Sequence, residues 1–309
     1  MPRNDMGGAT GQTDDDSRAA RRLGSAMSLR SRVVLVTGAS RGIGAATALA
    51  FARKGWRIAI TARSENEGQR LEHQLRRPDG TLMRGSLATT AAAVRELGAE
   101  VFAHPMDLMD ATSLDTALDA VLAHFGRIDV LLNNAVYQDR ESNALLHELT
   151  DEALQRTLWG NAVAPFHLAR RVLPAMVAQG GGRIVNVSSG AAKYDPPVPA
   201  DRGAWGFAYG ASKAAIARLA GCINVEYRER GVQAFTVNPG LVSTEAVTAT
   251  LGDGGVIEQR FGAMPPQAIA EALFWLASDP TAAPIIASPK ILELQVLIRE
   301  GRIPVTPAA

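Results

Sequence analysis

Val33-Val34-Leu35-Val36-Thr37-Gly38-Ala39-Ser40-Arg41-Gly42-Ile43-Gly44 decides the fold of this chain. The run from Val33 to Val36 is short, apolar and rich in β-branched residues, and reads as a buried strand. Thr37 and Gly38 end it. Residues 43–54 then read as a helix closed by Gly55. The glycines between permit a tight turn and a close approach of backbone to a ligand. The helix start offers free N–H groups and the positive end of its dipole to a pyrophosphate. A glycine-rich turn alone is a weak signal, but between a strand and a helix it is a strong one.

The rest of the chain repeats that alternation. Residues 57–61, 101–105, 128–133, 184–188 and 232–238 read as strands. Residues 111–125, 151–179 and 209–230 read as helices. Strands alternating with helices predict an α/β fold: a three-layer, doubly wound parallel sheet covered on both faces. No repeat or linker interrupts the chain after residue 30, so residues 31–309 read as a single domain. Two segments disturb the order. Residues 76–86 lengthen the connection after the second strand, and the proline-rich residues 194–203 precede the last long helix. Their prolines keep both from being helix interiors. Long loops in compact domains are often functional or disordered.

Composition narrows the function classes. Hydrophobic residues make up 47% and charged residues 20%, as in a soluble globular protein with a substantial core. A formal net charge of +1 gives no argument for nucleic acid or a membrane surface. No apolar run is long enough to predict a membrane span. Cys222, the only cysteine, excludes an intramolecular disulfide and fits a reducing cytoplasm. Its apolar helical surroundings predict a core position. Residues 1–30 carry Asp14-Asp15-Asp16 and then Arg18, Arg21 and Arg22, without the apolar core of a secretory signal. They are expected to form a disordered extension, with Met27 as an alternative start. His73, His104, His124, His147 and His167 show no metal-ligand spacing, so no metal site is expected.

Tyr209-Gly210-Ala211-Ser212-Lys213 is the chemical signal of the second half. Four residues apart on a helix, the phenol and the ammonium share a face. A free tyrosine ionises near ~10. A neighbouring positive charge favours the phenolate and lowers that value. The pair is a candidate general acid/base.

Taken in order, Thr37-Gly38-x-x-x-Gly42-x-Gly44, Asn133-Asn134-Ala135, a serine after the fifth strand, Tyr209-x-x-x-Lys213 and Pro239-Gly240 resemble the short-chain dehydrogenase/reductase family. The likeness runs over residues 31–276. It implies a Rossmann-type fold that binds NAD or NADP and holds the catalytic site in the same domain. It assigns cofactor contacts to Gly38, Ser40, Arg41, Gly42, Ile43 and Gly44 in the glycine loop. Asp107 and Leu108 match the pair flanking the adenine, and Asn134 and Ala135 follow the fourth strand. Val136 stands where the family has glycine, and its β-carbon is expected to tighten the approach to the cofactor. Pro239, Gly240, Val242 and Thr244 match the segment at the nicotinamide end, along with Tyr209 and Lys213.

NAD-preferring relatives carry an acid at the end of the second strand to hold the ribose hydroxyls. Here that position is Ala62, followed by Arg63, with Arg41 inside the glycine loop. Two arginines suit a 2′-phosphate, so NADP is expected ahead of NAD.

The resemblance also implies the catalytic roles. Tyr209 exchanges the proton of the substrate oxygen. Lys213 lowers the tyrosine pKa and bonds the nicotinamide ribose. Ser189 orients and polarises the substrate, with Ser188 as the competing position. Asn161 holds a relay water through its backbone. The expected reaction is NADP(H)-dependent interconversion of an alcohol and a carbonyl compound. A dehydratase or epimerase on the same fold, or a non-enzymatic NADP sensor, are the alternatives. The presence of Ser189, Tyr209 and Lys213 speaks against a sensor. The substrate is expected to be small and hydrophobic, held by residues 245–264 and by the loop before Trp205 and Phe207. Val247, Leu251, Val256, Ile257 and Phe261 form an apolar stripe that suits a substrate cover or plain packing on the sheet. The family's usual C-terminal Val-Asp-Gly-Gly turn is missing, and residues 289–299 stand in its place. A homodimer or homotetramer built on the helices at 161–179 and 209–230 is still expected.

Overall fold

Strand β1 (Val33–Thr37) is buried along its whole length, and its pleat sends alternate side chains to opposite faces of the sheet. Val34 and Val36 join the core on one face, while Val33 and Leu35 join the core on the other. A strand covered on both faces must be apolar throughout, which is why this one reads so clearly. The computed structural model describes residues 31–71, 76–77, 79–139, 141–251, 254–287 and 290–305. The expected extension at residues 1–30, with Asp14–Asp16 and Met27, lies outside the described residues, as does His73.

After β1 come α1 (Gly42–Arg53), β2 (Arg57–Ala62), α2 (Leu87–Glu96), β3 (Val101–Pro105), α3 (Ala111–Phe125) and β4 (Val130–Asn133). Then follow α4 (Asp151–Leu158), a π turn (Trp159–Val163), α5 (Ala164–Ala178), β5 (Gly182–Val187), α6 (Phe207–Tyr227) and β6 (Val232–Asn238). The chain continues through α7 (Glu245–Leu251), α8 (Gly254–Phe261), α9 (Pro266–Ser278), α10 (Ala283–Ile286), β7 (Leu292–Glu293) and α11 (Leu294–Arg299). Seven strands form one sheet in the order β3-β2-β1-β4-β5-β6-β7, every pairing parallel. The winding reverses between β1 and β4. At such a reversal a crevice opens beyond the carboxyl ends of the strands.

Helices α1, α2 and α9 cover one face. Phe51 of α1 meets Trp56 and Phe274 edge-on, each at 5.0 Å between ring centroids. Helices α3, α5 and α6 cover the other face through Leu118, Val172 and Ile223. The expected three-layer, doubly wound Rossmann-type fold is therefore the fold observed.

Several boundaries differ from the sequence reading. β4 starts at Val130 instead of residue 128, and β5 ends at Val187, leaving Ser188 beyond the strand. α6 starts before Tyr209, at Phe207, and residues 228–230 tighten into a 3-10 turn. The expected helix at 151–179 is broken into α4 and α5 by the π turn. Helices α2 and α9 were not apparent from the sequence. Leu87, Ala91 and Val94 give α2 its buried face, but an Ala/Thr-rich stretch dilutes the apolar period. Cys222 is exposed, not in the core. Helix α6 buries Ile216, Ala220 and Ile223, and position 222 falls on another face.

Candidate active site

The glycine loop leaves the start of a helix without a side-chain cap. Arg41 sits at the N-cap of α1 in extended backbone, and no side chain caps that helix. Ser86, Asp110 and Thr150 cap α2, α3 and α4 with side-chain oxygens. The first N–H groups of α1 are thus left for a ligand. A Cβ on Gly44 would lie 2.3 Å from the Gly38 carbonyl oxygen and 2.6 Å from Asn134 Nδ2. Asn134 Nδ2 donates to Thr37 O at 2.9 Å and to Gly38 O at 3.3 Å. Thr37 Oγ1 donates to Leu132 O at 3.1 Å and accepts from the Asn134 and Ala135 N–H groups, each at 3.0 Å. The amide of Asn134 props the loop, holding the end of β4 against the end of β1.

A cleft of about 410 Å³ opens over this loop. Gly38, Ser40, Arg41, Gly42, Ile43, Arg63, Asp107, Leu108, Asn134, Ala135, Pro239, Gly240, Val242 and Thr244 line it, with Tyr209 and Lys213. Gly44 packs behind the loop instead of lining the cleft. Val136 faces the cleft and is 44% exposed. A second cavity of about 520 Å³ adjoins it at Arg63 and Asp107, and reaches Tyr137 and Arg156. Arg156 is ion-paired with Asp139 and Glu141, and Tyr137 Oη donates to Asp139 Oδ2 at 2.7 Å.

The long connection after β2 folds back on the glycine loop, a contact that sequence reasoning missed. Leu87 N donates to Ser64 O at 2.9 Å and Ala88 N to Glu65 O at 3.0 Å, which draws the ends of the connection together. Arg41 Nε donates to Arg84 O at 2.8 Å and its Nη2 to Gly85 O at 3.0 Å. Gly85 packs so tightly that a Cβ there would stand 2.4 Å from Ser40 O. Met83 of the same segment lines the cleft. Burial pulls the Arg41 guanidinium below its ordinary pKa, opposed by Glu245 and Glu67. Glu67 accepts from the Thr89 hydroxyl at 2.8 Å, and this bond leads in holding its carboxyl below the ordinary value. These contacts run largely through backbone carbonyls, which carry no residue signature.

Tyr209 and Lys213 lie one turn apart at the start of α6. Lys213 Nζ stands 5.8 Å from the centre of the Tyr209 ring and donates to Val187 O at 3.1 Å. Lys213 is buried, and burial pulls its pKa from 10.5 to about 8. Burial also pushes the Tyr209 phenol above its ordinary value, and a hydrogen bond with Ser189 pulls it partly back. The expected lowering of the phenol by Lys213 is not what sets it in the folded chain: burial raises it, and Ser189 is what opposes the rise.

The two serines part company. Ser188 is buried and its Oγ donates to Lys213 O at 2.8 Å, tying the end of β5 to α6. Ser189 is the one whose hydroxyl acts on the Tyr209 phenol, and its Oγ accepts from Ala191 N at 3.2 Å; Ser188, and not Ser189, lines the cleft. Asn161 lies in the π turn, outside the cleft lining, and is 2% exposed. Its Oδ1 accepts from Tyr137 N at 2.7 Å, and its Nδ2 donates to Tyr137 O at 3.0 Å and Ser212 Oγ at 3.2 Å. Ser212 Oγ donates onward to Tyr209 O at 2.8 Å. The amide of Asn161 is therefore occupied in bracing the loop after β4 and the turn that carries Tyr209. π turns of this kind recur at functional sites.

Among the described residues, no group of three or more His, Cys, Asp and Glu side chains converges as a metal site. No helix among them is long and apolar enough to cross a membrane.

Known proteins share this fold. The profile of the short chain dehydrogenase family matches residues 32–86 and 80–253. The chain is 30% identical over 264 residues to a 3-oxoacyl-[acyl-carrier-protein] reductase of Escherichia coli, covering 83% of this chain and 93% of that protein. It is 36% identical over 263 residues to a D-threitol dehydrogenase of Mycolicibacterium smegmatis, covering 82% of this chain and 88% of that protein. The structure of an alcohol dehydrogenase from Thermococcus sibiricus, complexed with 5-hydroxy-NADP, superposes with a TM-score of 0.64 at 27% identity. That superposition covers 85% of this chain and 94% of the other.

Proposed function

The chain belongs to the short-chain dehydrogenase family and is an NAD(P)-dependent oxidoreductase, and on that premise we propose that it interconverts a secondary alcohol and a ketone using NADP(H). The observation that carries the reading is Tyr209 beside the buried Lys213, both lining one cleft with the uncapped start of α1.

The cleft fits a dinucleotide. The glycine-rich loop from Gly38 to Gly44 would take the pyrophosphate on the N–H groups of α1. Arg41 and Arg63 would hold a 2′-phosphate, with Ala62 offering no acid to compete. Asp107 and Leu108 would flank the adenine, and Pro239, Gly240, Val242 and Thr244 the nicotinamide. The cofactor supplies or receives the hydride.

The protein's own groups handle the proton and the orientation. Tyr209 gives its proton to a carbonyl oxygen, or takes one from a hydroxyl, as general acid or base. Ser189 donates to the same oxygen and stabilises the charge that gathers there. With a pKa of about 8, Lys213 keeps most of its protons at neutral pH and places a cation beside the phenol as Tyr209 ionises. Asn161 holds the backbone that carries Tyr209, and its own main chain would hold a relay water behind Lys213.

Val136, Leu241 and Val247 give the cleft apolar walls, in keeping with a hydrophobic substrate. We place the enzyme in the cytoplasm, in keeping with its single exposed thiol. Phe166 on α5 and Val225 on α6, 46% and 88% exposed, support a homo-oligomer built on those helices.

The test is NADPH oxidation with a panel of ketones and aldehydes. Wild-type enzyme should consume NADPH with some of them, and Tyr209→Phe should lose turnover by about 10³-fold or more while still binding NADPH. Full activity in Tyr209→Phe would refute the role given to the phenol.

A further inference from the structure

The two ends of the segment after Gly240 are joined at one place. Val242 bridges Met264 in parallel, Met264 N donates to Leu241 O at 3.0 Å, and Ser243 N donates to Met264 O at 3.1 Å. A glycine in the left-handed region stands at each foot: Gly240 with φ +71° and Gly262 with φ +64°. Such residues absorb a change of chain direction at low cost. Both feet are held from outside by two side chains of α11. Gln295 Nε2 donates to Leu241 O at 2.5 Å. Arg299 Nη2 donates to Gly262 O at 2.6 Å and to Gln295 Oε1 at 3.2 Å. The contacts leave little slack, because a Cβ on Gly240 would stand 2.6 Å from Gln295 Cδ and one on Gly262 would stand 3.2 Å from Arg299 Nη2.

A continuous line of hydrogen bonds thus joins one foot to the other: Leu241 O, the amide of Gln295, the guanidinium of Arg299, Gly262 O. An amide suits the middle of that line, since it donates from one end and accepts at the other. Gln295 is 9% exposed, and α11 is fixed in the core by Leu294 and Leu297. This helix occupies the part of the chain where the glycine-rich C-terminal turn is absent.

We infer that Gln295 and Arg299 are positioning residues that set the place of residues 239–244 in the cleft, by clamping both feet of the segment that follows. The inference rests on the proposed placing of a nicotinamide beside Pro239–Thr244. The clamp itself can be tested without turnover.

Gln295→Glu keeps the shape and the acceptor for Arg299 but removes the donor to Leu241 O. Gln295→Met fills the space and removes both. Arg299→Lys keeps a cation but loses the planar fork that reaches two acceptors at once. Hydrogen–deuterium exchange is measured on the full-length, cofactor-free protein, followed by the KM and kcat for a carbonyl substrate. Both Gln295 variants should raise exchange at the amides of Ser243, Thr244 and Met264 by about fivefold, the factor one net hydrogen bond represents. Exchange in β1 and β4 should stay as in the wild type. Arg299→Lys should fall between wild type and Gln295→Met, and KM should rise more than kcat falls. Unchanged exchange at those three amides would overturn the clamp. So would a rise spread evenly over the sheet with a lower melting temperature, which is what a merely structural glutamine gives. If Gln295→Glu does not fold, Arg299→Lys decides by the same exchange pattern. A wild-type protein without NADPH turnover would remove the proposed function and leave the exchange result standing.

Discussion

Lys213→Met removes a buried ammonium and keeps most of its volume, and its effect on stability should depend on pH in a defined direction. In the folded protein Lys213 titrates at about 8, displaced from 10.5 by burial. The unfolded chain returns the amine to 10.5. Between these values the unfolded state binds more protons than the folded state, so the wild type gains stability from this group as pH rises. Below pH 8 both states are protonated and the cost of burying the charge stands at full size. At about 1.4 kcal/mol for each pH unit of displacement, that cost is about 3 kcal/mol. The variant has no such dependence. Loss of the bond from Lys213 Nζ to Val187 O shifts its stability at every pH without changing the slope by this route. The difference between variant and wild type should therefore change by roughly 2 kcal/mol, in the wild type's favour, from pH 7 to pH 10. Urea unfolding of the cofactor-free protein, followed by tryptophan fluorescence at four pH values, measures it. Parallel stability curves would mean that burial does not displace Lys213, and the account of a cation that stays on at pH 7 and leaves just above it would fail.

The remaining predictions concern the loop, the charges and the serines. Gly44→Ala puts a methyl 2.3 Å from Gly38 O, so it should lower stability by about 1–3 kcal/mol and abolish NADPH binding, read by thermal unfolding and fluorescence titration. Arg41→Ala with Arg63→Ala should weaken NADPH binding by about tenfold or more while leaving NADH nearly unchanged; tighter NADH binding by the wild type would remove the NADP assignment. Ser188→Ala should cost about 1 kcal/mol through the lost bond to Lys213 O and keep turnover, whereas Ser189→Ala should keep stability and lose turnover. The reverse pattern in unfolding and kinetics would exchange the roles of the two serines.

Legibility followed the number of constraints on each residue. Val33–Val36 had to be apolar on both faces, so composition alone exposed the first strand. The loop from Gly38 to Gly44 had to leave room for neighbouring backbone, and glycine is a residue identity that can be read directly. Tyr209 and Lys213 were legible because helical spacing fixes their relation before any tertiary contact forms. What sequence spacing could not supply was the dielectric around them. The displacement of Lys213 depends on the burial of α6 against β5, and the direction of the Tyr209 shift turned on that burial, not on the neighbouring charge. Cys222 was misplaced for a related reason: an apolar stretch does not say which face of α6 meets the sheet.

The cofactor end of the cleft shows the same division and gives it a consequence. Arg41 and Arg63 could be picked out as a pair of charges, but the acceptors that orient Arg41 are the carbonyls of Arg84 and Gly85, more than forty residues further along. Backbone oxygens are common to every residue, so a sequence cannot announce them. They nevertheless consume Nε and Nη2 of Arg41 and leave the rest of the guanidinium to face the cleft. A guanidinium held by a fixed pair of acceptors pays less ordering entropy when it meets a second anion than one swinging free. On the proposed reading, discrimination between NADP and NAD would depend on the connection after β2 as well as on the arginines themselves. Gly85→Ala, whose Cβ would strike Ser40 O at 2.4 Å, would then disturb the setting of Arg41 although Gly85 carries no charge.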